Sequence, residues 1–233
     1  MEITIPENMD LSRPKRYVLN IEMGKYPAFS LTDKADRQLT FRHVFTGNTQ
    51  EESFRRFRDA FYDNAFFAEQ FHKVNVISYL PSFTFVPQLL YDHKDRALYM
   101  KFLFTEHNGK ILTQALPEHE AVILYSLPQT IFDFLQRSLI DANYMHWTAM
   151  MAQYYARQSA EHPSDGKQIL VYRHEDQALI MAFVQNQLLF GNQFPCKNDS
   201  DMRYYTLYVC QQLTFDNQCD SLFYPIELPP CAS

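Results

Sequence analysis

The sequence has 233 residues, 46% of them hydrophobic and 21% charged, which is the composition of a folded protein with room for two lobes. Its net charge of -6 excludes a general electrostatic attraction to nucleic acid, which requires clustered basic residues. No run approaches the roughly 20 apolar residues of a membrane span, and the N-terminus lacks a secretory signal pattern, so we expect a cytoplasmic protein.

The cysteines point to the same compartment. No pair has the close spacing of a zinc knuckle or a redox motif, and a chain with this apolar content does not need a disulfide framework. We therefore expect reduced thiols and no metal site. The four cysteines are Cys196, Cys210, Cys219 and Cys231.

The first half of the chain predicts three strands and then a long helix. Thr49 and Glu52 form a capping box at the start of that helix, and apolar residues then recur at helical spacing. The strands are expected at residues 16–23, 28–32 and 39–45. The apolar face of the helix consists of Phe54, Phe57, Phe61 and Ala65.

The middle of the chain alternates between strand and helix patterns. The continuous apolar run at 121–127 is typical of a central strand that is covered on both faces. The other strands are expected at 74–79, 83–86 and 142–147, and the helices at 92–104, 129–139 and 148–159.

Residues 162–166 are polar and turn-forming, and they mark a break between two halves of the chain. Three further strands follow at 168–174, 178–184 and 188–194. A helix capped by Asn198 or Asp199 comes next, so the second half repeats the order of the first.

A short sequence match supports this repeat. Leu39-x-Phe41-x-x-x-Phe45 and Leu188-x-Phe190-x-x-x-Phe194 occupy the third strand of each half, four residues before each candidate cap. The element order predicts an α/β fold with duplicated actin-like, or ribonuclease-H-like, lobes and mixed sheets. We expect an arm at 1–13, a first lobe at 14–163 and a second, shortened lobe at 164–233.

Two segments carry a more specific resemblance. Residues 83–90, and above all residues 187–194 followed by Tyr204-Tyr205 and Gln211-Gln212-Leu213, resemble an uncharacterised bacterial family, domain of unknown function 3822. The likeness extends from about residue 15 to 215. It implies an actin-like ATPase fold and no established activity.

In that fold, two hairpin turns hold the nucleotide phosphates, and each needs a carboxylate and glycines. Glu22, Gly24 and Lys25 match this pattern weakly in the first turn, and a glycine turn with flanking surface charges explains them better. The second turn offers Glu175 and Asp176 and no glycine. No Gly-Gly pair exists for the adenosine end.

The sequence lacks the motifs of other enzyme classes. A ribonuclease-H-like nuclease needs several carboxylates to hold two metal ions, and the fourth strand offers none. The chain also lacks a nucleophile elbow, a Walker loop, a dinucleotide fingerprint and a zinc-protease motif. We therefore expect a non-catalytic scaffold with a protein partner. The alternative is a divergent ATPase that binds ATP and magnesium through the five turn residues.

Overall fold

The computed structural model of the protein describes residues 3–104, 109–161, 166–215 and 221–223. The predicted break at 162–166 lies outside these residues, apart from Gly166. The strands are β1 (Tyr17–Met23), β2 (Ala28–Asp33), β3 (Thr40–Val44), β4 (Lys73–Ser78), β5 (Phe83–Pro87), β6 (Gly109–Leu116), β7 (Ala121–Pro128), β8 (Asn143–His146), β9 (Lys167–His174), β10 (Gln177–Val184), β11 (Gln187–Pro195) and β12 (Ser221–Phe223). The helices are α1 (Gln50–Asp63), α2 (Arg96–Leu103), α3 (Gln129–Ser138), α4 (Trp147–Glu161) and α5 (Asp199–Gln212).

The chain forms two compact units, each assembled from separate segments. The first unit contains Met1–Leu80, Asn108–Leu112 and Ser126–Trp147. The second contains Pro81–His107, Thr113–Tyr125 and Thr148–Ser233. The boundary expected between residues 163 and 164 stays a prediction, because the two compact units divide the chain at other positions.

The first unit contains a five-stranded mixed sheet in the order β3-β2-β1-β4-β8. The first three strands are antiparallel, and β4 and β8 then run parallel to β1. One face of this sheet packs against helices through aromatic rings. The Phe134 ring on α3 lies 6.0 Å from Phe57 and 5.8 Å from Phe54 on α1, and the apolar face predicted for that helix is confirmed for its three phenylalanines. Ala65 does not belong to this face, because α1 ends at Asp63 and Ala65 is an exposed residue of the 3-10 turn that follows.

The second unit contains a four-stranded sheet, in the order β11-β10-β9-β12, among the residues that the structure describes. Its three long strands are antiparallel, and β12 pairs parallel to β9, as β4 does to β1. Gln185 and Asn186 connect β10 to β11 with φ angles of 49° and 65°. Two successive left-handed residues are typical of the tight hairpin turn that matches the strand twist.

The two units repeat more than their strand order. Thr49 caps α1 by accepting from the Glu52 N–H at 3.1 Å, and Glu52 accepts from the Asn48 N–H at 2.9 Å. The second copy of this arrangement is on α5. Asn198 accepts from the Asp201 N–H at 2.9 Å, and Asp201 accepts from the Lys197 N–H at 2.8 Å. Each residue follows its counterpart by 149 positions, as Leu188 follows Leu39, so the predicted duplication is confirmed.

The third sheet has three strands in the order β5-β7-β6, with β5 antiparallel to β7. Strand β6 was not predicted from the sequence. Its residues are mostly half-exposed, and such a strand shows little hydrophobic alternation because it contributes one edge of a small sheet. Helix α2 is also shorter than the predicted 92–104, since a 3-10 turn (His93–Asp95) precedes it.

Candidate functional site

The first candidate turn connects β1 to β2, and the carboxylate beside it forms an ion pair. Glu22, near the end of β1, is 9% exposed. Arg42 on β3 reaches across β2, and its Nη2 and Nε donate to Glu22 Oε2 at 2.7 Å and to Oε1 at 3.1 Å. A bidentate guanidinium is the strongest partner that a side chain offers to a carboxylate. Both carboxylate oxygens are therefore held by the protein itself.

The other two residues predicted for this turn are also tied to their surroundings. The Gly24 carbonyl accepts from Gln50 Nε2, on the first residue of α1, at 3.3 Å. Lys25 Nζ lies 5.4 Å from the centre of the Tyr26 ring, a cation-π contact. No glycine in the described part of the chain has a positive φ angle. Gly24 therefore does not provide the left-handed backbone that phosphate-binding loops draw from glycine.

The second candidate turn connects β9 to β10 through Glu175 and Asp176 alone. Glu175 has a φ angle of 52°, so a non-glycine residue takes the left-handed position of this turn. The Asp176 carbonyl accepts from the Cys196 N–H at 2.7 Å, which fastens the turn to the end of β11. A glycine-free turn presents side chains, and it lacks the bare backbone that cradles phosphate.

An arginine side chain lies beside this second turn. Arg173, the last residue but one of β9, donates to the Lys197 carbonyl at 2.7 Å and lies 3.2 Å from Asp199 Oδ1. It thereby links the strand end to the first turn of α5. Asp199 and Asp201 also place negative charge where the dipole of α5 favours it. The positive end of the α5 dipole is thus compensated by carboxylates of the same unit.

Polar side chains cross the first sheet beside Glu22. Asn75 Nδ2 on β4 donates to Asn20 Oδ1 on β1 at 2.8 Å, and Asn20 Nδ2 donates to Ser30 Oγ on β2 at 3.3 Å. The strand register continues this row outward to Arg42 on β3 and Asn143 on β8. We call these five residues the polar rung. Its three central members are buried, so it provides hydrogen bonds inside the sheet and no open carboxylate site.

The described residues contain no group of three or more His, Cys, Asp or Glu side chains that could hold a metal ion. Buried titratable groups are scattered. His146 on β8 is fully buried, and this burial lowers its pKa to about 3, although Nε2 donates to the Leu80 carbonyl at 2.9 Å. A neutral imidazole with one ring nitrogen already bonded to the backbone suits a structural role.

Two further sequence expectations concern membranes and thiols. None of the helices in the described part of the chain has the length and hydrophobicity that a bilayer crossing requires. Cys196 is a buried free thiol, and burial raises its pKa. Cys219 and Cys231 lie outside the described residues.

The comparisons with known proteins agree with this architecture. A family model described as "Protein of unknown function (DUF3822)" matches residues 6–229. The chain belongs to the DUF3822 family. None of the curated proteins matches it. Membership confirms the resemblance drawn from residues 83–90 and 187–213, and it assigns no activity.

Solved structures show the fold of this DUF3822 protein. It is similar to a Bacteroides thetaiotaomicron protein with actin-like ATPase fold and unknown function, with 21% sequence identity and a TM-score of 0.78. The match covers 94% of this chain and 86% of that one. The actin-like fold predicted from the repeat is therefore confirmed, and the related structure is bacterial.

Weaker similarities extend to a phosphatase and to a pilus biogenesis complex. The Ppx/GppA phosphatase of Aquifex aeolicus has 9% identity and a TM-score of 0.40, over 89% of this chain and 66% of that one. A PilM-PilN type IV pilus biogenesis complex has 10% identity and a TM-score of 0.48, over 87% and 67%. Similarity at this level carries no argument about function.

Arg42, which binds the carboxylate of the first turn, was not among the predicted site residues. Its position in an alternating strand reads as a solvent-facing residue, and only the register of three strands brings it to Glu22. The five predicted turn residues divide between the units, with Glu22, Gly24 and Lys25 in the first and Glu175 and Asp176 in the second.

Proposed function

We propose that this DUF3822 protein is a non-catalytic, actin-like scaffold for protein interaction or assembly. The observation that supports it best is the ion pair between Glu22 and Arg42. A carboxylate that binds a metal-nucleotide complex needs its oxygens available, whereas both Glu22 oxygens are engaged by a guanidinium. The glycine-free second turn argues in the same direction.

As part of this proposal, the scaffold works in the cytoplasm and binds a protein partner. The buried thiol of Cys196 is compatible with a reducing compartment. Interfaces are enriched in aromatic residues, and 15% of this chain is aromatic. Exposed aromatic and aliphatic side chains concentrate on the second unit, among them Phe102, Tyr204 and Leu207.

The competing function is a divergent ATPase, which the actin-like ATPase fold of the Bacteroides relative favours. A thermal-shift titration with ATP and magnesium separates the two. A ligand at about 100 times its dissociation constant stabilises a fold by roughly 2.7 kcal/mol, which raises the melting temperature by several degrees. We expect no such shift at millimolar ATP.

The controls use both members of the ion pair. Glu22→Gln removes the carboxylate, and Arg42→Met leaves the carboxylate without its guanidinium. If magnesium-ATP stabilises the wild type and Arg42→Met, and Glu22→Gln abolishes the effect, the scaffold proposal is overturned in favour of the ATPase. The quantity compared between variants is the change in melting temperature that magnesium-ATP causes. This comparison separates nucleotide binding from the stability that each variant loses when the ion pair is broken.

A further inference from the structure

A groove with apolar walls runs between β5 and α2 on the second unit. It encloses about 430 Å³. Phe102 is 88% exposed and Leu98 is 64% exposed, so the wall on the helix side presents large apolar side chains to solvent. Contiguous exposed apolar surface of this kind marks interaction sites on soluble proteins. The lining residues are Thr84, Phe85, Val86, Leu98, Tyr99, Phe102 and Leu103.

The groove follows the edge of β5. Side chains of successive strand residues point to opposite faces of a sheet. Thr84, Phe85 and Val86 are consecutive, and all three line the groove. The groove therefore runs along this segment of β5.

The hydrogen-bond phase of β5 directs the backbone groups of Phe85 at this edge. Gln88 N–H donates to the Glu120 carbonyl at 2.7 Å, one position beyond the last pair, Pro87 with Ala121. Bonded and non-bonded pairs alternate in an antiparallel ladder. Thr84 and Val86 are thus bonded to β7, and the backbone N–H and C=O of Phe85 point away from it.

The outward side of β5 has no ladder partner among the described strands, since β5 stands first in its sheet. The Phe85 carbonyl receives only a long contact of 3.5 Å from the Thr84 hydroxyl. The Phe85 ring packs against Gly191 on β11 so closely that a Cβ there would lie 2.6 Å from Cε2. This contact holds the edge in place, and a preformed edge lowers the entropy cost of binding.

The charge beside the groove favours an acidic ligand. Residues 92–103 carry three cations, Lys94, Arg96 and Lys101, against two carboxylates, Asp92 and Asp95, in a chain whose net charge is -6. Lys101 is exposed on the same helix as the apolar wall. Complementary charge at the rim of an interface steers and selects the partner.

We propose that this groove binds an extended, acidic segment of a partner protein, which adds to the free edge of β5 as a further strand. Alternate apolar side chains of the segment enter the groove, and its acidic residues face the cations of α2. Strand addition explains why an apolar wall and an unpaired backbone edge occur together. The inference rests on the proposed scaffold function and names its partner chemistry.

The probe is a fluorescein-labelled heptapeptide that alternates Glu and Leu, and binding is followed by fluorescence anisotropy. We expect saturable binding that Phe102→Glu and Lys101→Glu each weaken at least tenfold. Both side chains are exposed, so the folds of these variants are expected to match the wild type by circular dichroism. Leu207→Glu, on the exposed face of α5, is the matched control, and it should change affinity less than twofold.

N-methylation tests the strand pairing itself. Two probes each carry N-methyl groups on alternate amides, one on the amides whose N–H groups face β5 and the other on the remaining amides. We expect methylation to abolish binding of the first probe and to leave binding of the second intact. Equal binding of both methylated probes overturns strand addition, as does a helical amide signal from an isotope-labelled bound probe. Absence of saturable binding by the wild type at millimolar probe, or unchanged binding by Phe102→Glu, overturns the groove assignment.

Two outcomes concern other occupants and the underlying function. A wild-type dimer that Phe102→Glu converts to monomer in sedimentation assigns the groove to a second copy and overturns the proposal. Stabilisation by magnesium-ATP that depends on Glu22 overturns the scaffold function, whatever the peptide does. A failed peptide experiment without that stabilisation overturns the groove alone.

Discussion

At the scale of single residues, the ion pair of Glu22 and Arg42 engages both carboxylate oxygens at the first turn. The Glu22 side chain is 11% exposed and that of Arg42 is 42% exposed. The pair therefore lies between the exposed class, worth up to about 1 kcal/mol, and the buried class, where a lost partner costs about 3 to 5 kcal/mol. Its strength is accessible to a double-mutant cycle.

We predict that Glu22→Gln and Arg42→Met each lower the free energy of unfolding by about 1 to 2 kcal/mol. The double variant should be less destabilised than the sum, by a coupling of about 1 kcal/mol, because each single variant already removes the same interaction. Urea unfolding measures all four proteins. Strictly additive effects would show that Arg42 does not hold the carboxylate.

His146 provides a second residue-scale prediction. Burial lowers its pKa from 6.5 in the unfolded chain to about 3, so the unfolded state takes up a proton first as pH falls. The stability that depends on neutral His146 is complete above pH 6.5 and is lost progressively down to about pH 3. The maximal slope is about 1.4 kcal/mol per pH unit.

The variant His146→Gln retains an N–H donor for the Leu80 carbonyl and does not titrate in this range. Unfolding free energies measured between pH 6.5 and 4.5 should therefore fall more steeply for the wild type than for the variant. Carboxylates contribute equally to both proteins. Parallel pH profiles would mean that His146 is protonated without cost in the fold.

At the scale of elements, the duplicated caps offer a matched experiment within one chain. We predict that Thr49→Ala and Asn198→Ala each cost about 1 kcal/mol, because each removes the acceptor of a helical N–H at the same position of its helix. Ser200→Ala, one residue into the first turn of α5, makes no cap and should stay within about 0.5 kcal/mol.

Hydrogen exchange localises these effects better than global unfolding, since two compact units need not unfold together. Thr49→Ala should speed exchange in α1, and Asn198→Ala in α5. A cap variant that leaves exchange in its own helix unchanged would contradict the assignment.

Local signals explain why some elements were predictable. The caps of α1 and α5 lie three residues from their partners in sequence, so the sequence records them directly. Strand β6 was not predicted because its own residue pattern does not indicate a strand. It is a strand because it pairs with β7. The start of α2 was misplaced for a similar reason, since Asp92 accepts from the Lys94 N–H and favours a separate 3-10 turn.

At the scale of the whole molecule, the repeat allowed the fold to be predicted, because two halves that share an order constrain each other. The candidate sites depend on residues far apart in sequence. Arg42 meets Glu22 only through the register of β1, β2 and β3, and Phe102 faces β5 only through packing. Neither juxtaposition leaves a local pattern.

The polar rung has a consequence for folding. A chain that contains one strand order twice can mispair strands from different copies, a known failure of repetitive proteins. Gly191 follows Arg42 by 149 residues, and it pairs with Met181 as Arg42 pairs with Ser30, so Met181 holds in the second sheet the place of Ser30 in the first. If β10 took the place of β2 beside β1, the Asn20 amide would face Met181 and lose the Ser30 hydroxyl as its acceptor, at a cost of about 1 to 3 kcal/mol. The buried Asn20 amide therefore favours β2 over its counterpart β10 as the neighbour of β1.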